Sequence, residues 1–574
     1  MCALVYLAQL FAWYMGLSGT LLLPADIADA QVHGDSSAWL GYAWYTVYWS
    51  TFVLAWLVMP IMNAAWAAGE LTWRKRIKAA IRANVLTYIA MAVGGIAAVG
   101  YLLVRGIATK DTLSGFLMAW GNTYGLMLIV LLMGHGLVEV PRQLWITSFP
   151  ERQLQLLYFR ATQIDTSLYD AIYDLEDAEK EFEKIQRAHR SGGGDAMTRE
   201  QAKMSLYIEA IQATRDKFDL SAAGNGRTAR PAANNIDSPL PAKKAKKKQL
   251  TPVGELVSLH SRLRNGQEKV VAGRQRWEDL MNQVALLELI VSKQLPRPQS
   301  VTAGRGSNPL KRFATFVQLK SARALWFWRL HLEHRVLRLT AVLCFVLSAM
   351  VIWSEVALAA PVDLSPFGKI IQSFEGKSPL LIQAAALIPF LYMSLCCYRS
   401  LFKLRLLSSL ALNGPHQSLP GQLMFNAQYL VRLQFPLGYN FLTLLHYEKG
   451  MLQHIAFNKL MSNMSVVPLL GTDFNIYAPL IMVVLCLFTA CHGYARLLRM
   501  VGIEHEDLQC ATDKEGQERM DEGKSLIERG KRQAALRESR RQAAQPTAPQ
   551  VPGFSTSNKP ANNYRSYGRV VDDV

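Results

Sequence analysis

The sequence predicts an all-α protein, a polytopic transmembrane helical bundle of about eight spans carrying a long coiled-coil helical hairpin. Three observations predict it. The 574-residue chain is 51% hydrophobic and only 18% charged, with 13 Trp and 20 Met. Its apolar residues gather into blocks of roughly 20 residues, enough to cross a hydrocarbon core about 30 Å thick. A polar insertion between the fourth and fifth blocks has the three-and-four apolar spacing of packed helices.

The eight blocks run Ala3 to Leu23, Ala38 to Ala68, Asn84 to Val104, Phe116 to Val138, Arg338 to Ala359, Pro379 to Cys397, Gly421 to Leu445 and Phe474 to Leu498. The first lacks the basic start of a cleaved leader and is longer than a leader core, so it reads as a span. The seventh carries Arg432 near its middle. The organisation that follows is transmembrane helices one to four over residues 1–140 and a cytoplasmic hairpin over 141–333. Helices five to eight occupy 334–502, and a basic, disordered tail 503–574.

Orientation comes from loop charge. Arg74, Lys75, Arg76, Lys78 and Arg82 follow span two, and Arg399, Lys403 and Arg405 follow span six, whereas the loop from Ala25 to Ala38 has neither Lys nor Arg. Basic loops face the cytoplasm. Both termini then lie inside, and the loop from Tyr447 to Gly471 lies outside, where Asn463-Met464-Ser465 forms a glycosylation acceptor pattern.

Within the insertion, Leu154, Leu157, Ala161, Ile164, Leu168, Ala171, Leu175, Ala178, Phe182 and Ile185 alternate in steps of three and four. This is the apolar seam of a left-handed coiled coil, on a helix from about Glu151 to His189. Ser191-Gly192-Gly193-Gly194 interrupts it, helix resumes to about Leu220, and a disordered linker fills 221–252. In a second long helix Leu256, Leu263, Val270, Trp277, Val284 and Val291 recur every seventh residue, while His260, Gln267 and Arg274 make the other seam row polar. Chain connectivity favours an antiparallel hairpin of the two helices over pairing between chains, with Trp277 facing the stretch from Ile164 to Leu175.

The net charge of +18 does not indicate nucleic-acid binding, because the basic residues lie on one side of the membrane plan. Lys243, Lys244, Lys246, Lys247 and Lys248 suit contact with anionic lipid headgroups of the bilayer. A solvated linker is the plainer alternative. The tail from Lys514 to Arg541 mixes Glu with Lys and Arg and reads as an exposed helix available to protein partners. Phosphate loops, nucleophile elbows, zinc-protease helices and Cys-x-x-Cys pairs are all missing, so no enzyme, cofactor or metal site is expected. Of the seven cysteines, none is expected in a disulfide. Adjacent Cys396 and Cys397 suit palmitoylation or, slightly better, plain helix packing.

Ionisable groups in spans are costly and therefore candidates for function: Asp26, His135, Glu139, Glu355, Arg432, His446 and His492. Asp26, Glu139 and Glu355 lie near span ends, where a carboxylate can reach interfacial water. Arg432 stands about eleven residues from either end of its span, so it should pair with a carboxylate or line a wet cavity. Pro436 and Gly438 behind it suit a helix break.

Several segments together resemble the LIMR family, the limb-region and lipocalin-interacting membrane receptor proteins, in the subgroup called LMBR domain-containing protein two. They are Leu22-Leu23-Pro24-Ala25-Asp26, Asn122-Thr123-Tyr124-Gly125-Leu126, Gly136-Leu137-Val138-Glu139-Val140-Pro141-Arg142, Trp353-Ser354-Glu355, His416-Gln417, Pro436-Leu437 and Asn440-Phe441-Leu442. The resemblance implies a multi-pass membrane protein whose relatives act as endocytic or signalling receptors or, in one subgroup, as a lysosomal partner of cobalamin export. For the nearest subgroup it implies modulation of G-protein-coupled receptor signalling at the plasma membrane. It also implies nine spans, of which the eight here correspond to the last eight. The expected function is a membrane scaffold or receptor regulator with cytoplasmic or membrane receptor partners. The alternative is a transporter, or its accessory subunit, with a pathway near Arg432.

Overall fold

The computed structural model describes residues 2–104, 110–191, 199–216, 218, 252–292, 327–357, 365–374, 376, 378–403, 411–415, 417–445, 449–461, 474–493 and 514–543. The lysine run 243–248, the linker 221–251, His446 and Asn463 lie outside these residues. Among the described residues there is no β-strand. The chain divides into two compact units, Met1–Trp145 with Leu339–His505, and Ile146–Arg338 with Glu506–Val574.

The first unit holds α1 (Cys2–His33), α2 (Ala38–Ala67), α3 (Trp73–Val104) and most of α4 (Lys110–Thr147). Six described helical stretches are long and apolar enough to cross a membrane: Tyr6–His33, Ala38–Ala67, Trp73–Tyr101, Gly125–Thr147, Trp328–Ala357 and Pro379–Lys403. The seventh block forms an unbroken helix, Pro420–Leu444, and the eighth forms Phe474–Ala490. Helix α1 runs ten residues beyond the expected end at Leu23, through Pro24. What reads as a loop start at Ala25 is a further three turns of helix, and Asp26 is inside them.

Close backbone approach builds this unit. A Cβ on Gly136 of α4 would stand 2.4 Å from the carbonyl oxygen of Cys396. Larger residues there would force the helices apart, so the Gly136-Leu137 step is a packing contact. Cys396 and Cys397 are fully buried beside it, consistent with packing, and Cys344, Cys396, Cys397, Cys486 and Cys491 are free thiols.

In the second unit, α5 (Pro150–Ser191) and α7 (Pro252–Val291) lie antiparallel, with α6 (Arg199–Asp216) against α7 near the turn. Register is fixed by two glycines: Gly266 faces Leu175 and Gly273 faces Leu168, at 3.2 and 3.0 Å from a built Cβ to the leucine Cδ1. Seven residues forward on α7 correspond to seven back on α5, which places Trp277 beside Ile164, at one end of the expected stretch. Buried Leu256, Leu263, Val270 and Val284 form the expected row, but Val291 at its end is exposed.

The second row differs from expectation. It is Leu259, Gly266, Gly273, Leu280 and Leu287, three residues after each member of the first. His260, Gln267 and Arg274 lie one position further round. The glycines hid this row, because glycine adds no hydropathy yet leaves a hollow that a leucine fills. Phe182 and Ala178 complete the interior near the turn with Tyr207 and Ile211 of α6.

The tail helix also departs from expectation. The last helix, Lys514–Ala543, packs along α5 instead of standing exposed. Gly523 sits against the Tyr158 backbone, and Gly530 against Met281 and Trp277. Ile527 is 1% exposed, in a cluster with Leu157, Ala161, Leu280 and Val284. Burying one such side chain contributes about 1.5–3 kcal/mol. Leu536, beyond the contact, stays exposed.

Candidate functional site

The intramembrane charges separate into satisfied structural groups and one that lines a cavity. Asp26 is 0% exposed. It accepts from the Trp44 indole at 2.9 Å, from the backbone N–H groups of Ala456 at 3.1 Å and Phe457 at 2.7 Å, and from the Ser36 hydroxyl. Those N–H groups open the short helix Ala456–Met461, so the carboxylate meets donors that would otherwise be orphaned. Reaching for interfacial water is therefore the wrong account of Asp26. It is wrong for Glu355 too, which is 1% exposed and accepts from the Asn440 amide at 2.9 Å.

Glu139 keeps partial contact with solvent and pairs with Arg142 at 3.5 Å while accepting from Gln143 at 2.8 Å. Arg142 also donates to the carbonyls of Thr489 at 3.3 Å and Ala490 at 3.0 Å. A cation at the C-terminus of Phe474–Ala490 is where the helix carbonyls favour it. His492 beside it has φ 55°, and its Nδ1 lies 3.5 Å from Arg142. His135 is partly buried one residue before the tight Gly136 contact.

Arg432 is placed by a defect in another helix. Residues Leu54–Val58 of α2 form a π turn, in which the Met59 N–H donates to Leu54 five residues back. The same step would pair Ala55 with residue 60, but that residue is Pro60 and has no N–H. The Ala55 carbonyl is thus released by its own helix, and it accepts from Arg432 Nη2 at 3.0 Å and from the Gln428 amide at 3.3 Å. The guanidinium carbon lies 4.2 Å from the Trp56 ring centre and 5.5 Å from that of Tyr429. A released carbonyl and two aromatic faces give the cation favourable electrostatics inside the apolar unit.

Around this cation lies a cavity of about 480 Å³, walled by α2, α3 and Pro420–Leu444. Arg432 stands among its lining residues, and no acidic side chain stands among the described ones. The expected helix break behind it is absent: Pro420–Leu444 runs straight through Pro436 and Gly438. Pro436 withdraws a donor from the Arg432 carbonyl, and Gly125 packs there, its built Cβ 2.6 Å from Pro436 and 3.3 Å from that carbonyl oxygen. The sequence gives Arg432 away as a mid-span charge. Its partner Ala55 has no polar signature, and only Pro60 five positions later hints at it.

Outside the first unit, Glu288 of α7 receives a hydrogen bond from the Tyr158 hydroxyl at 3.2 Å and an ion pair from Lys531 of the tail helix. Burial, then the neighbouring Glu288 charge, pushes the Tyr158 phenol up to about 12, so it stays a donor at neutral pH. Three helices thus meet in one polar cluster beside an apolar one.

Comparison with known proteins gives a consistent result. The LMBR1-like membrane protein profile matches residues 2–494. The chain is similar to LMBR1 domain-containing protein 2 homolog A of Dictyostelium discoideum, 30% identical over 93% of this chain and 68% of that protein. It is similar also to the homolog in Drosophila pseudoobscura pseudoobscura, 28% identical over 91% of this chain and 72% of that one. Homo sapiens has a relative named G-protein coupled receptor-associated protein LMBRD2, 26% identical over 86% of this chain and 69% of that protein. No solved structure matches the chain.

Proposed function

Because the chain belongs to the LMBR1-like membrane protein family, and is thus a multi-pass membrane protein, we propose that it modulates receptor signalling or trafficking as a non-enzymatic partner of G-protein-coupled receptors. The observation that carries this reading is the similarity to relatives named G-protein coupled receptor-associated proteins in human, zebrafish, chicken and frog, which extends over at least 85% of this chain in each. The second unit gives the reading a physical basis. On this reading, which loop charge supports, it lies on the cytoplasmic side of the plasma membrane or of an endosomal or lysosomal one, with its three-helix base and exposed Tyr169 and Tyr173, one turn apart on α5, open to a protein partner. The lysine run 243–248 would touch anionic headgroups of the same leaflet.

The experiment is co-capture. Full chain solubilised in mild detergent should retain a co-expressed G-protein-coupled receptor and alter its ligand-stimulated output. Equal output with and without the chain, together with no retained receptor, would refute the reading. Topology is tested separately: tags at both termini should resist protease added to intact cells, and Asn463 should carry glycan. A protease-accessible N-terminal tag with a shielded C-terminal one would reverse the assignment.

A further inference from the structure

The cavity around Arg432 has the composition of a binding site for a phosphate-bearing head. Its single lining charge among the described residues is positive. In surroundings of low dielectric, a fixed cation raises the local concentration of anions far more than it would in water. A second donor stands in the same wall. The Tyr88 hydroxyl on α3 is buried and has no hydrogen-bond partner among the described residues. A buried hydroxyl left without an acceptor is costly, so a ligand oxygen that accepts from it would recover that cost.

The cavity's lining mixes polar and apolar side chains. Asn63 and Asn84 stand towards the α2–α3 turn, and Trp56, Phe425 and Met91 stand further along the helices. The Asn84 amide donates to the Ala80 carbonyl at 2.9 Å. Met91 and Thr87 are exposed on α3, whose outer face carries the exposed apolar side chains Leu86, Ile89 and Val93. An amphiphile could place its head by Arg432 and run its chain out past Met91 along that face. The volume is in the range of sites that hold a small ligand.

We propose that this cavity binds the phosphate-bearing head of an anionic amphiphile, with Arg432 and Tyr88 donating to its oxygens. The site is independent of receptor association, so either can fail alone. The test uses full chain purified in a neutral detergent and titrated with dihexanoyl phosphatidylglycerol, dihexanoyl phosphatidylcholine or inorganic phosphate, with affinity read by calorimetry. Phosphatidylglycerol should bind at least about tenfold more tightly than phosphatidylcholine, because only the former is a net anion. Arg432→Gln keeps an N–H donor for the Ala55 carbonyl and should weaken binding about tenfold or more. Tyr88→Phe removes one hydroxyl from a helix with little packing to lose and should weaken it severalfold, which preserves the test if Arg432→Gln misfolds. Equal affinity of wild type and Tyr88→Phe, or phosphatidylcholine binding as tightly as phosphatidylglycerol, would overturn the proposal. Inorganic phosphate binding as tightly as phosphatidylglycerol would overturn the amphiphile assignment in favour of free phosphate.

Discussion

The two units solve the same problem, helix against helix, with opposite materials. In the first, several buried acceptors are answered by a named donor: Asp26 by an indole and two backbone N–H groups, Glu355 by Asn440, and the Ala55 carbonyl by Arg432. In the second, apolar rows and glycine hollows set the register, and its described ion pairs, such as Arg262 with Glu181 and Lys531 with Glu288, lie at the partly exposed margin. The difference follows from solvent. Lipid offers no hydrogen bonds, so polarity there must be matched within the protein and gains specificity from it. Water offers them freely, so the second unit gains mostly from burying apolar surface, and its margin pairs add little.

The apolar side of this comparison can be broken at Phe182. Its side chain is 0% exposed, so Phe182→Ala should destabilise the second unit by about 3–5 kcal/mol, measured by denaturant unfolding of the full chain with a fluorophore on α6. A loss below about 1 kcal/mol would mean that the apolar seam is not what holds that unit. Asp26→Ala probes the other material. It strands two backbone N–H groups and an indole, each costing about 1–3 kcal/mol, and should lower the thermal stability of the first unit while the second is unchanged. Trp277→Ala should cost less than a fully buried tryptophan, about 1–2 kcal/mol, because Trp277 is only half-buried against Gly530 and the α5 seam.

The smallest effect sharpens the contrast by pH. Burial raises the Asp165 carboxyl above its ordinary value, with the Arg529 charge of the tail helix opposing and Glu522 adding to the rise. A raised carboxyl favours docking below its unfolded value and loses that contribution as pH rises through the folded one. Tail-helix docking should therefore weaken slightly as pH rises above the ordinary carboxylate range. Asp165→Asn should remove that dependence, as read by a distance label between α5 and the tail helix. An unchanged pH profile in the variant would place the titration elsewhere.

Much of this was legible in the sequence, and the failures have physical causes. The long helices α5 and α7 follow from apolar spacing, because repeated leucines and alanines leave a strong periodic signal. Gly266 and Gly273 were invisible to the same reasoning, since a hollow has no hydropathy. The tail helix looked exposed because Ile527 and Leu526 are two apolar residues in a charged segment, and only Gly523 and Gly530, seven apart, mark its contact face. Among the site residues, Arg432 stood out as a charge in a span. Asp26 and Glu355 looked peripheral because sequence gives distance from a helix end and not burial.

Docking of the tail helix on α5 and α7 joins the insertion and a distant C-terminal segment into one platform, and we propose that receptor association runs through it. It is tested most directly by co-capture of a G-protein-coupled receptor with the full chain and with Ile527→Glu, which places a charge in a position 1% exposed. Ile527→Glu should reach the membrane normally, lose the distance signature of a docked tail and retain little receptor. Receptor retained equally by both proteins, with the tail shown to be undocked in the variant, would contradict it.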